Sequence, residues 1–355
     1  MLDDKNVLTK RDSEHTLDSS AIQYEQTTMD IDIIHPGHDG REINRVIAVG
    51  MGGSALAPEF IKTWLDSELT VPYEIVKSYA FPASVNEHTL VIASSCSGNT
   101  EEVLAALDLA RQKGAQIAVV AGGGSLVEVA ERDSIAHVVL PPIKIQPRML
   151  TFVQVRAHVA LLGLFGLVDS EKLLSRIAAT HDWLRDESAS WTKEVPIDKN
   201  LAKRIALQAV GKTPVFYGGP LTGSIAYKWK ISWNENAKNV AFWNQYPEVS
   251  HNEFIGWSSH PVEKPFAVFD LVSALEHPHV LARFDISDRL LSGKRPAATR
   301  IDMVGDDLLH QLLRAHVLAD YASIYTGILN GVDPGPVPLV TKLKQELQAH
   351  PDVNL

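Results

Sequence analysis

The sequence predicts an α/β protein of parallel sheets with helices on both faces, arranged as two related halves. Three observations carry this expectation. Between residues 45 and 142, short continuous apolar runs alternate with amphipathic stretches. That is the pattern of strands buried on both faces and joined by crossover helices. The runs end in Gly or Ser turns that open directly into the next helix, and the second half echoes the first: VIAVGMGGSALAPEF (46–60) against VFYGGPLTGSIAYKW (215–229). With 355 residues, 45% of them hydrophobic, the chain exceeds one ordinary domain, so two are expected.

Along the chain, residues 1–30 read as a solvated N-terminal arm with some helical content, and 31–44, rich in Gly, Pro, Asp and His, as irregular. Strands follow at RVIAVG, YEIVKSY, HTLVIASS, QIAVVAGGG and AHVVLPP, with helices at GSALAPEFIKTWL, TEEVLAALDLARQKG and SLVEVAERDS between them. Residues 149–190 read as mostly helical and cover the first sheet. A linker at 196–200 leads to a second α/β pattern: TPVFYGG, LTGSIAYKWKISWNENAK, KPFAVFDL and ATRIDMVG. A long amphipathic helix, a Gly-Val-Asp-Pro-Gly-Pro break and a final basic helix end the chain. The domains are therefore drawn as 1–30, an arm; 31–190, a first domain with trailing helices; and 191–355, a second with C-terminal helices.

The 33 Lys and Arg against 43 Asp and Glu give a net charge of −10, which argues against a nucleic acid partner, since binding one usually needs a basic face. A local cluster of Arg, Lys and helix N-termini still allows an anionic small molecule. Cys96 is the single cysteine, so neither an intrachain disulfide nor a cysteine metal cluster can form. The polar start and the lack of any run near 20 apolar residues point to a cytoplasmic protein that neither carries a signal peptide nor spans a membrane.

The sharpest chemical signal is VIASSCSGNTEEVL (91–104). Unpaired N–H groups at a helix start carry the positive end of the helix dipole, and Ser95, Ser97 and Thr100 add hydroxyls around them, which suits a phosphate. The simpler reading is a helix cap at Ser97 or Asn99 with Glu101 and Glu102 in the first turn. A second turn, Gly50 to Ala55 (GMGGSA), supplies Gly52, Gly53 and Ser54 at another strand's carboxyl end. It loosely fits a dinucleotide fingerprint, but Glu74, the acid such a site needs, begins a strand instead of ending one. A single phosphosugar suits the two turns better. His277 and His279 lack the partners of a metal site and read as a surface turn. Arg148 in QPRMLTF is delivered to the crevice rim after a proline-rich strand end, ready for an oxyanion or a surface ion pair. Glu235, near the end of the helix that starts around Thr222, is either solvated or a base. His251, in the polar PEVSHNE segment, could move a proton near neutral pH.

The pairing of GMGGS with SSCSGNTEEVL resembles the sugar isomerase (SIS) domain. The segments QPR (146–148), NENAK (234–238), PEVSHNEF (247–254) and ADYASIYTGILNGVDPGPVPLVTKLK (319–344) are similar to the bifunctional phosphoglucose/phosphomannose isomerases, which have two SIS domains. The resemblance covers most of the chain after residue 45. It implies two SIS-type domains of the flavodoxin-like or Rossmann-like α/β sandwich kind. The implied activity interconverts fructose 6-phosphate with glucose 6-phosphate, and with mannose 6-phosphate as a further substrate, through a cis-enediol(ate) and with neither metal nor other cofactor. The resemblance makes Glu235 the base and sets Arg148 beside the substrate, where it would stabilise the enediolate. His251 would open the sugar ring in the neighbouring subunit's site, which implies a homodimer. Lys344, in preference to its neighbour Lys342, would point into the site, and Gly52, Gly53, Ser54, Ser95, Ser97 and Thr100 would hold the phosphate. Cys96 departs from the aromatic or hydroxyl residue common at its position. Two alternatives stay open: an isomerase of a different phosphosugar, and a sugar phosphate sensor that binds without turnover.

Overall fold

The computed structural model describes residues 1–259 and 265–349. Two short helices open the chain, α1 (Lys5–Arg11) and α2 (Thr16–Ala21). A first α/β unit follows: β1 (Arg45–Val49), α3 (Leu56–Trp64), β2 (Tyr73–Val76), β3 (Thr89–Ser95), α4 (Glu101–Gln112), β4 (Gln116–Ala121), α5 (Gly124–Arg132) and β5 (Ala136–Val139). Three helices, α6 (Thr151–Leu164), α7 (Ser170–Ala179) and α8 (His181–Ala189), connect it to the second unit. That unit comprises α9 (Leu201–Ala209), β6 (Thr213–Gly218), α10 (Gly223–Asn236), β7 (Phe242–Gln245), α11 (Glu253–Gly256), β8 (Phe266–Val272), α12 (Pro278–Leu290), β9 (Thr299–Asp302), α13 (Leu308–Asn330) and α14 (Pro338–Gln348). Of the strand expected over 264–271, residue 264 lies outside the described residues, as do 350–355 of the expected second domain.

Both sheets are parallel, in the orders β2-β1-β3-β4-β5 and β7-β6-β8-β9. The four strands common to both run in the same sequence, so the echo heard between 46–60 and 215–229 is an echo of topology. In each sheet the chain leaves the first central strand toward one edge and the second toward the other. This puts a switch point, where ligands of such sheets sit, between β1 and β3 and again between β6 and β8.

Side-chain alternation splits the sheets between layers. Val46, Leu90 and Ile92 of sheet one and Phe216 and Phe269 of sheet two join one core with Phe60, Phe152, Trp229, Trp233 and Leu318. Ile47, Val49, Val91 and Ala93 pack outward under α4 and α5, and Val215 and Val268 pack under α12. Helices α6 and α13 lie in the shared layer, which corrects the expectation of an amphipathic α13: residues 311–328 are all buried. A helix enclosed on every side need not be amphipathic. The N-terminal segment also departs from the solvated arm expected of it. Leu2, Leu8 and Leu17 are buried in the central core, and Arg156 on α6 donates to the carbonyls of Thr27 and Met29. The His277–His279 pair marks a helix start, where His277 Nδ1 accepts from the His279 N–H and caps α12.

Candidate active site

The β1 and β3 carboxyl ends meet at the first switch point, as their neighbouring positions in the sheet require. Cys96 N–H donates to Ser54 Oγ at 3.0 Å, linking the two turns. Ser95 Oγ lies 2.7 Å from Thr100 Oγ1 and 3.4 Å from Ser97 Oγ, and it accepts from Gly98 N–H. Gly98 has φ +69, and a Cβ there would strike the Gly123 carbonyl, so only glycine closes this turn. The N-cap of α4 is Thr100, with no side-chain cap. Asn99, an expected cap, instead accepts from Ser125 N–H, while Ser97 Oγ accepts from Asn99 N–H. The hydroxyls therefore cluster beside a helix start whose first N–H groups no side chain caps. The Cys96 thiol, raised by burial, lies 3.4 Å from Ser54 Oγ.

Gly53 joins this cradle to the rest of the site. A Cβ there would sit 2.8 Å from Arg148 N, so the absence of a side chain lets the Gly52–Ala55 turn press against the Pro147–Met149 turn. Arg148 is 1% exposed, and its five N–H donors have five acceptors. Nε donates to Asn236 Oδ1 at 2.6 Å, Nη1 to Glu235 Oε2 at 3.1 Å and Gln146 Oε1 at 3.3 Å, and Nη2 to the Pro334 and Gly335 carbonyls at 3.0 and 3.2 Å. Burial lowers the guanidinium from its usual value, opposed by Glu235 and Asp320, yet an arginine keeps its charge. Glu235, in the last turn of α10, leaves 30% of its side chain open. A carboxylate held on one oxygen by a buried arginine, with an accessible face, can exchange a proton with a bound carbon acid.

Several residues around this pair escaped the sequence reading. On α10, Lys228, Ser232 and Asn236 recur every fourth residue, on the face that leads to Glu235, and all three are buried. Asp320 on α13 receives both Lys228 and Ser232. A polar stripe between Trp229 and Trp233 was the available signal, since tryptophans on both sides of a stripe argue against a solvated face. Lys238, at φ +50, donates to the Glu235 and Pro334 carbonyls at 2.6 and 2.9 Å. The residue as a whole is exposed, yet partial burial of its ammonium, then the Arg148 charge, lower it to about 8. From the N-terminal segment, Ser13 bonds Asp333 and Glu14 accepts from Gln146 Nε2 at 2.8 Å. Glu14, Thr16, Ser19, Lys144 and Gln146 line a polar cavity of about 400 Å³ that reaches Arg148 through Gln146.

Arg148 and Glu235 are thus brought together, with Gly53 and Ser54 beside them. His251 is not: it is exposed on the Glu248–His251 turn, and its imidazole makes no hydrogen bond or ion pair among the described residues. Lys344 stands exposed on α14, whereas Lys342 pairs with Glu346 at 3.6 Å. Among the described residues no group of three or more His, Cys, Asp or Glu is placed to hold a metal ion, and no helix is long and apolar enough to cross a membrane.

Known proteins are similar to this chain in sequence and in fold. A family model for the SIS domain matches residues 41–154, and one for the bacterial phospho-glucose isomerase C-terminal SIS domain matches residues 198–347. The bifunctional phosphoglucose/phosphomannose isomerase of Caldicellulosiruptor bescii is 35% identical over 311 residues, which cover 86% of this chain and 90% of that protein. Its namesake from Aquifex aeolicus is 30% identical over 306 residues, 86% of this chain and 91% of that protein. A D-glucosamine-6-phosphate 4-epimerase of Sulfolobus acidocaldarius is 32% identical over 216 residues, 61% of this chain and 64% of that protein. Among solved structures, a glucose-6-phosphate isomerase like protein from Thermus thermophilus superimposes with a TM-score of 0.64 at 16% identity, covering 96% of this chain and 99% of that one. With both SIS units matched and relatives at this identity aligned over nearly their whole length, the chain belongs to the bifunctional phosphoglucose/phosphomannose isomerase family.

Proposed function

We propose that the chain is an aldose–ketose isomerase interconverting fructose 6-phosphate with glucose 6-phosphate and mannose 6-phosphate. The observation that carries this reading is the Arg148–Glu235 pair, whose arginine is carried on a backbone turn packed against Gly53 of the Gly52–Ala55 turn. Ser54, Ser95, Ser97 and Thr100, with the N–H groups around Gly52 and Gly53 and the start of α4, hold the phosphate. Glu235 takes the proton from C2 of the open-chain aldose and returns it to C1, while a proton moves between O1 and O2 so that the carbonyl shifts to C2. The reverse transfer to either face of C2 gives glucose or mannose 6-phosphate. Arg148 offsets the negative charge of the cis-enediolate. All its donors are engaged, so an enediolate oxygen takes the place of the Gln146 acceptor, the most distant of the five.

His251 opens the ring in the site of a second copy, and Lys344 reaches a site from α14. Support for this shared arrangement comes from the surface. Phe242 and Trp243 on the edge strand β7 and Ile255 beyond His251 are exposed, and α14 carries an open stripe of Leu339, Leu343 and Leu347. These apolar faces suit a homodimer. The charge balance and single cysteine favour a cytoplasmic enzyme.

One experiment tests base and sharing together. Glu235→Gln is expected to lower kcat by ~10³-fold, within the range of general base catalysis, while sugar phosphate affinity changes little. His251→Ala is expected to be impaired in ring opening. Subunit exchange between the two inactive variants would build one intact site in each mixed dimer, restoring about a quarter of wild-type activity at random pairing. Equal loss of binding and turnover in Glu235→Gln would remove Glu235 as the base, and absence of restored activity would remove the shared site. The 4-epimerase relative favours one competing outcome: a product altered at C4 would assign that chemistry instead.

A further inference from the structure

Behind the Arg148–Glu235 pair lies a second ion pair, Lys228–Asp320, at 2.8 Å with both side chains wholly buried. Lys228 Nζ also donates to the Arg148 carbonyl at 2.8 Å, and Ser232 Oγ donates to the Asp320 oxygen that Lys228 binds. The other carboxylate oxygen of Asp320, Oδ2, has no partner among the described residues. A fully buried pair with an unsatisfied oxygen is a poor source of stability, because desolvation offsets its attraction and an apolar pair of similar volume does as well or better. Its placement explains what it contributes. Lys228 is two turns before Glu235 on the same helix. Its second acceptor is the backbone of Arg148. Asp320 belongs to α13, which runs out into the 333–335 segment whose carbonyls hold the other end of Arg148. The pair therefore ties together the three elements that fix the arginine and the carboxylate: α10, the Pro147–Met149 turn and α13.

We propose that Lys228, through its bonds to the Arg148 carbonyl and to Asp320, is a positioning residue that sets Arg148 against Glu235 for proton transfer. This rests on the isomerase reading above. Lys228 touches no substrate; it acts on the turn that carries Arg148. The phosphate cradle is built from other elements, β1, β3 and the start of α4, so loss of Lys228 should slow the chemical step and spare binding.

The test separates positioning from folding. Lys228→Met alone leaves the Asp320 carboxylate buried and uncompensated and is expected to lower the melting temperature. Lys228→Met with Asp320→Asn removes both charges and is expected to recover that stability without recovering activity: kcat at least tenfold below wild type, KM for fructose 6-phosphate within about threefold. Lys228→Gln, which keeps a donor without the charge, serves as a second probe and should fall between wild type and the double variant. Lys203 is the control, another buried lysine, bonded to Asp3 and to the Lys193 and Val195 carbonyls away from this site. Lys203→Met should lose stability while each folded molecule keeps its kcat. A folded double variant, or a folded Lys228→Gln, with wild-type kcat would overturn the proposal, as would a rise in KM that accounts for the whole loss. A wild-type chain with no turnover of fructose 6-phosphate would instead sink the isomerase reading, and Lys228 with it.

Discussion

In the proposed reaction the five donors of Arg148 divide between holding the side chain and meeting the substrate. Three of them, to Asn236 and the Pro334 and Gly335 carbonyls, fix the plane of the guanidinium. The two on Nη1 face Glu235 and Gln146, the side from which substrate charge would be met. Lysine has one ammonium and cannot reproduce this fork. Arg148→Lys is therefore expected to cost ~10²-fold in kcat/KM, in the range of losing one preorganised donor to a developing oxyanion, as steady-state kinetics would read. A loss below threefold would mean that charge alone suffices there. In the sequence, Arg148 and Glu235 could be singled out because each sits in a short segment resembling a known family. Lys228 left only the hint of a polar stripe flanked by Trp229 and Trp233, and Asp320 left none, because a charged residue inside a helix reads as solvated until the packing of α10 on α13 is known. The same reading placed Lys344 by resemblance alone and His251 by its polar segment together with the resemblance, and the structure leaves both exposed.

Buried strands and their turns were the legible elements; the edge strand β7, half exposed along Phe242–Gln245, was not expected. A parallel strand buried on both faces has an unmistakable apolar run, and Gly or Ser at its end follows from the turn it must make. Some helix was expected in residues 1–30, but its burial was not legible, since the anchors are single leucines in a polar stretch, Leu2, Leu8 and Leu17, with no helical period to reveal a buried face. The geometry of this segment depends on Asp12, buried between α1 and α2, whose carboxylate accepts from the N–H groups of Thr16 and Leu17 at 2.7 and 2.9 Å. Ser13 and Glu14, which follow it, reach Asp333 and Gln146 beside Arg148. Asp12→Ala removes acceptors from a helix start, so a loss of ~1–2 kcal/mol is expected in urea unfolding. An unchanged midpoint would show that this segment is not held by its carboxylate. The amphipathic reading of α13 failed for a related reason: whether a long helix has an outside depends on what lies beyond both of its faces.

At the scale of the molecule, the two halves share one central core between their sheets, and Asp270 is buried outside it, on the face of β8 that packs under α12. Asp270 on β8 is 4% exposed, and burial, only partly opposed by Arg295, raises it to about 7. An acid raised above its unfolded value of 3.8 binds more protons folded than unfolded across that interval. Its contribution is therefore complete below about 3.8 and is lost as pH rises to about 7. Asp270→Asn, which stays neutral, should melt close to wild type near pH 4 and above it at pH 8, with the gap opening between those values. A gap independent of pH would place the ionised carboxylate in a better-solvated site than the structure gives it.

The central claim, proton transfer by Glu235 between C1 and C2 of a hexose 6-phosphate, is tested most directly by NMR of the purified chain with fructose 6-phosphate in deuterated water. Glucose and mannose 6-phosphates carrying deuterium at C2 are the expected result, because a carboxylate base with 30% of its side chain open to solvent exchanges the proton it carries. Binding without any aldose product, or an aldose altered at a carbon other than C2, would contradict the account.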